Sequence, residues 1–260
     1  MNGNPQRTTR ATCLCSAVAL AFGMTITPHE GMAQDGSKFL TLQNISSATV
    51  APHGTVFGSL TGSSRRAGPG AGRTGDGSME MGLGLGRAED NVGVQVSATI
   101  TSLKSSFADS GYLNLKFSRR ILAGANPTYI SIEANHLANW GDAKLKDPRG
   151  KIAVTTFGLA KFSADGDSYP YMLTLGAGND LRNNGTDPGV FLGAGIGVTP
   201  SMGLSAAWTG ETFDMGVSYR APSLKNLSFN ASVNDVFGNE NDRRVTLSIN
   251  WSLANVFGGM

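Results

Sequence analysis

Cysteine is nearly absent from this chain of 260 residues, whose two cysteines, Cys13 and Cys15, lie near the amino terminus. A disulfide framework or a cysteine-ligated metal site is therefore excluded for the rest of the chain. Charged residues make up only 15% of the sequence and the formal net charge is +2. This balance provides no basic stripe for a nucleic-acid partner. No apolar run of about 18 residues follows the amino-terminal region, so no transmembrane helix is predicted.

The first 33 residues have the pattern of a secretory signal peptide. Arg7 and Arg10 precede the apolar stretch CLCSAVALAFGM. Gly31 and Ala33 then supply small residues at the two positions that a signal peptidase inspects. We therefore predict export with cleavage after Ala33, which removes both cysteines from the mature chain.

Bulky apolar residues alternate with small or polar ones through most of the remaining chain. The clearest run is VTLSINWSL at 245–253. The same alternation occurs at 79–86, 92–100, 112–118, 130–135, 190–198, 213–220 and 227–234. Strict alternation predicts β-strands with one apolar and one polar face. Less regular runs near 50–60, 152–162, 169–177 and 202–209 bring the expected number to about twelve strands.

Short turn motifs such as RAEDN, SADGD and VTPS separate these runs. Even spacing with hairpin-length turns predicts an up-and-down antiparallel meander. The period breaks within 152–162, where we expect a β-bulge. Residues 48–260 are predicted to form one barrel domain, preceded by a short segment at 34–47.

The direction of the apolar face separates a soluble protein from a membrane protein. A ring of twelve strands encloses more space than side chains can fill, since about eight strands already fill well. A soluble sandwich would expose glycine, serine and asparagine with few charges, unlike ordinary soluble surfaces. Apolar residues facing lipid and small polar residues facing a lumen fit the pattern better. We predict an all-β, closed antiparallel transmembrane β-barrel.

Residues 48–257 resemble a Gram-negative outer-membrane β-barrel protein, porin-like and of about twelve strands. Alternating apolar residues before Phe257 are similar to the carboxy-terminal assembly signal of that group, although Asn255 departs from it. The resemblance implies an integral outer-membrane location after export. It also implies contact with outer-membrane lipid and lipopolysaccharide, and with the barrel-assembly machinery. Short turns such as RAEDN are then expected on the periplasmic side, and NDLRNNGTDPG among the longer outer loops.

The polar parity of the strands predicts which side chains line the lumen. These are Glu80, Gln95, Lys116, Glu133, Asp214, Arg220, Asn230 and Asn250. Lys116 and Glu133 are expected to face each other across a strand pair, as a structural ion pair or as a charged filter. We also expect Asn230 opposite Asn250, and Ser232 opposite Ser248.

Glycines at 82, 84, 86, 193, 195 and 197 also face the lumen by parity. The room that they leave could hold a water path, strong strand curvature or an inserted plug. The segment 34–47 is the candidate plug.

Basic residues in the predicted outer loops have two interpretations. They could draw anions toward the mouth, or they could contact lipopolysaccharide or simply be solvated. These residues are Arg65, Arg66, Arg73, Lys144, Lys146, Arg149 and Lys151.

Catalysis is not predicted. After the signal peptide the chain has only His53 and His136, and His136 lies on the lipid-facing parity without a serine two residues away. No zinc pattern, phosphate-binding loop or dinucleotide motif occurs, so no metal or other cofactor is expected. The sequence favours a narrow passive channel for small polar solutes. The alternatives are a closed structural or surface-binding barrel and, third, an outer-membrane hydrolase.

Overall fold

A computed structural model describes residues 38–65, 74–103, 107–162, 166–224, 226–240 and 242–257. The predicted signal peptide with its cysteines, residues 34–37, Arg66 and Arg73 lie outside these ranges. Among the described residues, no helix is long and apolar enough to cross a membrane.

The described chain forms one closed barrel of twelve antiparallel strands. Each strand pairs with its neighbours in sequence, and the first strand pairs with the last. The predicted fold class is therefore confirmed. The strands are β1 (Val56–Ser63), β2 (Asp76–Gly86), β3 (Gly93–Ile100), β4 (Gly111–Leu122), β5 (Thr128–Trp140), β6 (Arg149–Lys161), β7 (Ser168–Arg182), β8 (Asp187–Gly197), β9 (Met202–Trp208), β10 (Phe213–Arg220), β11 (Leu227–Asn234) and β12 (Arg244–Leu253).

The polarity of the barrel is inverted relative to a soluble protein. Leu192 and Ile249 are exposed on the outer surface, whereas Thr155 and Ser218 are fully buried inside. Closing the ring gives both edges of every strand a hydrogen-bonding partner, as hydrocarbon requires. The apolar rows therefore form the lipid-facing surface of a membrane barrel.

The connections alternate between the two ends of the barrel. The turns after β2, β6 and β8 lie at the end where β1 begins and β12 ends, here called the turn end. The connections after β1, β5 and β11 lie at the opposite end, the loop end. The long loop expected at NDLRNNGTDPG is wrong, because β7 continues to Arg182 and β8 begins at Asp187. Asn183 and Asn184, with φ of 51° and 58°, form the tight turn between them.

Irregular pairing occurs in β5 and near the loop end of β7, but not in β6. β6 keeps a continuous register with both neighbours, so the bulge predicted within 152–162 is wrong. The pairing of β4 with β5 shifts register around Leu113, where His136 and Ala138 have φ of 58° and 46°. The predicted lipid-facing position of His136 is also wrong. Its ring is buried and stacks on the lumen-facing Tyr112, with the ring centroids 3.9 Å apart.

The register of β11 with β12 differs from the prediction. Asn230 pairs with Ser248, Ser228 with Asn250, and Ser232 with Thr246. The offset of two residues keeps every polar side chain on the lumen face, because a β-strand repeats every two residues. Turn geometry, which alternation does not encode, set this register.

We expect Leu192→Arg, at the middle of lipid-exposed β8, to destabilise the barrel in lipid vesicles by about 2–4 kcal/mol. The reason is the cost of placing a charge in hydrocarbon. The control is Val245→Arg near the loop end of β12, where the same charge reaches the interface and should cost about 0–1 kcal/mol. Denaturant unfolding from vesicles measures both variants. Equal losses for the two would contradict the assignment of a lipid-facing surface.

Candidate functional site: the barrel lumen

Residues 38–55, here called the strap, precede β1 and lie inside the barrel. The strap starts at the turn end, where the Phe39 N–H donates to the Thr199 carbonyl at 2.8 Å. It then follows the inner wall, with the Thr41 and Ser218 hydroxyls 2.7 Å apart. The first arm of the strap therefore lies against β8, β9 and β10.

The strap reverses in the middle of the lumen and returns to the turn end. Asn44, with a φ of 66°, marks the bend. Just beyond it, the Ser46 hydroxyl donates to the Glu133 carboxylate at 2.6 Å. On the way back the Ala48 N–H donates to Thr155 at 2.7 Å, and the Ala51 N–H to Gln95 at 3.0 Å. The strap is thus a U-shaped insertion that ends at the start of β1.

Apolar side chains hold the strap in place. Leu40, Leu42 and Ile45 are buried in one cluster with lumen-facing residues of β6 to β9, namely Ala153, Phe157, Met172, Phe191 and Ala207. Burying one such strap side chain contributes about 1.5–3 kcal/mol, so exposing all three would cost roughly 5–9 kcal/mol. The strap is therefore a permanent part of the lumen.

Lumen-facing glycines make room for the strap. A Cβ at Gly195 would overlap the Thr41 carbonyl oxygen, and one at Gly203 would overlap that of Phe39. A Cβ at Gly216 would lie 2.6 Å from the Gln43 side chain. Of the six glycines predicted to face the lumen, Gly84, Gly193, Gly195 and Gly197 make room for the strap. A Cβ at Gly82 would instead overlap the Phe57 ring, and Gly86 has a φ of 68° at the turn after β2.

Two cation–π contacts join the turn end of the strap to the barrel, one from Lys38 of the strap and one from Arg220 of β10. The Lys38 ammonium lies 3.4 Å from the centre of the Tyr169 ring and 3.2 Å from the Asp167 carboxylate. The Arg220 guanidinium lies 4.1 Å from the centre of the Phe39 ring. Such cation–π contacts contribute about 0.5–2 kcal/mol each.

All eight predicted lumen residues lie on lumen-facing rows of the wall, and three of them contact the strap. Gln95 and Glu133 accept hydrogen bonds from it, and Arg220 stacks on it. The predicted pairing of Lys116 with Glu133 is confirmed, with 3.4 Å between Nζ and Oε2. Glu133 also accepts a hydrogen bond from Asn135 at 2.6 Å. It therefore links the strap to two neighbouring strands.

Further basic residues lie toward the loop end of this wall. Asp180 lies 3.2 Å from Arg149 and 3.9 Å from Lys151. Lys146 follows the 3-10 turn Gly141–Leu145. Burial, with a smaller contribution from Arg149, lowers the pKa of Lys146 to about 8. The nearby Asp180 carboxylate acts in the opposite direction and favours the protonated form of Lys146.

The acidic residues of β10 and of the loop after β11 serve as hydrogen-bond acceptors. Asp214 accepts from Thr212 at 3.0 Å, from Asn234 at 2.7 Å and from the Asp235 N–H at 2.9 Å. Asp235 accepts three backbone N–H groups of its own loop at 2.7–3.2 Å. Both carboxylates are buried and organise the loop end.

Partly exposed polar side chains remain on the lumen face beside the strap. Ser59 on β1 and Ser248 and Asn250 on β12 form one group, and Asn114 on β4 and Asn135 on β5 form another. These side chains carry hydroxyl and amide groups that the strap leaves partly uncovered. A polar surface therefore runs along the lumen where the strap leaves room.

Two histidines, His53 and His136, lie in the described ranges. His53 Nδ1 accepts the Gly86 N–H at 3.1 Å at the turn end. His136 Nδ1 has no hydrogen-bond partner among the described residues, so it lacks the carboxylate that would orient a catalytic imidazole.

Some of the wall residues that contact the strap were not predicted from the sequence. Thr155, Ser218, Phe157 and Phe191 hold the strap, and none was selected from the sequence. A signal was present, because Phe157 and Phe191 lie on the parity that should be polar in a water-filled barrel. Large apolar residues on the lumen parity indicate that another segment covers them.

No protein-family model and no curated relative matches this chain. Solved structures with a similar fold include the outer membrane protein Omp33 of Acinetobacter baumannii, with 11% identity over 77% of this chain and 96% of that chain, and a TM-score of 0.44. The KdgM porin in complex with oligogalacturonate has 10% identity over 76% and 99%, with a TM-score of 0.45. An outer membrane channel from Pseudomonas putida F1 has 12% identity over 78% and 97%, with a TM-score of 0.41. The fold of this chain is established by its own closed ring of twelve paired strands.

We expect Gly195→Ala to destabilise the barrel by about 1–3 kcal/mol, because the added methyl group overlaps the strap backbone. It should also speed amide hydrogen exchange in residues 39–43. The control is Gly62→Ala, whose Cβ would meet open space. Denaturant unfolding measures the loss of stability, and hydrogen-exchange mass spectrometry measures the exchange. Unchanged exchange in Gly195→Ala would contradict the close contact between Gly195 and the strap backbone.

We expect Lys116→Met or Glu133→Gln alone to cost about 3–5 kcal/mol, because each leaves a buried charge without its partner. The double variant should cost clearly less than the sum of the two. Denaturant unfolding of the four proteins provides the double-mutant cycle. Strictly additive losses would show that the ion pair does not couple the two strands.

Proposed function

We propose that this protein is a bacterial outer-membrane channel that lets small polar solutes diffuse through a narrow passage beside the strap. The observation that carries the proposal is the row of partly exposed hydroxyl and amide groups on β1, β12, β4 and β5. A lumen built only to be filled would pair such groups with protein, since buried polar groups are normally hydrogen-bonded, yet the Asn250 Nδ2 has no hydrogen-bond partner among the described residues.

The strap sets the width of the proposed passage. It lies against β8 to β10 on one side and reaches Thr155 and Gln95 on the other. Solutes are therefore restricted to the remaining part of the cross-section. Because the strap is held by roughly 5–9 kcal/mol of apolar burial, passage does not require its removal.

A closed structural barrel is the second candidate, and the strap is the observation that favours it. The apolar cluster and the ion pairs of Glu133 and Asp180 fill much of the lumen on the β4 to β8 side. The two candidates differ in a measurable property, because only the channel passes small solutes or ions across a bilayer. The histidine environments give no support to the hydrolase alternative.

The test uses a disulfide between strap and wall. The Thr41→Cys/Ser218→Cys variant places two cysteines where hydroxyls now lie 2.7 Å apart. We expect small, stable conductance steps in a planar bilayer, unchanged when the disulfide is formed or reduced, because the strap stays seated. Ser218→Cys alone is the control for oxidation.

The alternative outcomes are distinct. A folded barrel that neither conducts ions nor passes arabinose in liposome swelling, in either redox state, would support the closed structural barrel and overturn the channel. Conductance that appears only after reduction would show that the strap must leave, contrary to a permanent strap.

A further inference from the structure

We propose that the passage favours small neutral solutes rich in hydroxyl or amide groups over ions of either sign. This inference rests on the proposed function and specifies its class of solute. It follows from two observations, namely how the charges of the lumen are paired and which groups the lumen leaves accessible.

Two carboxylates of the lumen wall and one in the loop after β11 lie close to cations. Glu133 lies 3.4 Å from Lys116, and Asp180 lies 3.2 Å from Arg149. Asp242 contacts Arg65 at 2.8 Å and also contacts Arg244. A pair of opposite charges a few ångströms apart attracts a passing ion far less than a single charge would.

The Asp214 carboxylate is enclosed in another way. Its neutral donors, Thr212, Asn234 and a backbone N–H, cover both oxygens, and the residue is only 3% exposed. An entering cation would have to replace these hydrogen bonds before it reached the charge. Asp214 therefore does not form a cation-binding site at the loop end.

The partly exposed lumen side chains in the middle of β1 and β12 are uncharged. Ser59, Ser248 and Asn250 lie on paired strands, with Ser59 directly opposite Asn250. A hydroxyl donates and accepts, and an amide has both a donating and an accepting end. Neutral solutes that carry hydroxyls or amides need both kinds of partner, whereas an anion needs donors and a cation needs acceptors.

The energetic consequence is selection against ions. An ion in a narrow passage loses part of its hydration shell, which is expensive unless an opposite charge replaces it. A hydroxyl-rich solute exchanges its hydrogen bonds with water for similar ones with the wall at little net cost. The wall thus admits the neutral solute more readily than an ion of equal size.

The test combines liposome swelling with electrical recording. Swelling rates are measured for arabinose as the neutral probe, and for gluconate and glucosamine as charged probes of comparable size. We expect arabinose to enter fastest, and the reversal potential in a potassium chloride gradient to show little preference between cation and anion. Charged probes entering as fast as arabinose, or a strong preference for one ion, would overturn the inference.

Asn250→Asp adds an isolated carboxylate to the passage and should make it selective for cations. Asn250→Gln, which keeps the site neutral, is the matched control. If Asn250→Asp fails to fold, Ser59→Asp supplies the charge from the paired position. A folded aspartate variant with unchanged ion preference would overturn the inference. A folded wild-type barrel permeable to neither sugars nor ions would instead overturn the proposed function.

Discussion

The need to pair every backbone N–H and C=O within hydrocarbon governs this structure. It requires the sheet to close, and closure of twelve strands produces a lumen wider than its side chains can fill. The remaining space must hold water, a ligand or another part of the chain. Here the segment before β1 occupies it, and the glycines and apolar residues of β6 to β10 form its seat.

The strap gives the two sides of the lumen different properties. Against β6 to β9 the interior resembles a soluble core, with Leu42, Phe157 and Phe191 packed together. Along β12 and β1 it stays polar, with Ser248 and Asn250 partly exposed. Between these regions, Glu133 binds both the strap and Lys116. One residue therefore couples the position of the strap to the barrel wall.

Several features of the site could be predicted because a β-strand repeats every two residues. All eight lumen residues chosen from the polar parity face the lumen, and Lys116 does pair with Glu133. The failures lie where the repeat breaks or where register depends on a turn. The bulges of β5 turn His136 inward, and the turn after β11 places Asn230 opposite Ser248. Neither effect appears in an alternating pattern.

The sequence by itself determined the strand architecture and the inverted polarity of the barrel. Alternation of apolar and polar residues is a local property, and each strand carries it independently. Only the tertiary structure decided what fills the lumen. Contacts such as Thr41 with Ser218 and Ala48 with Thr155 join residues 177 and 107 positions apart. No local pattern specifies such partners, because they depend on how the closed ring brings distant strands around one segment.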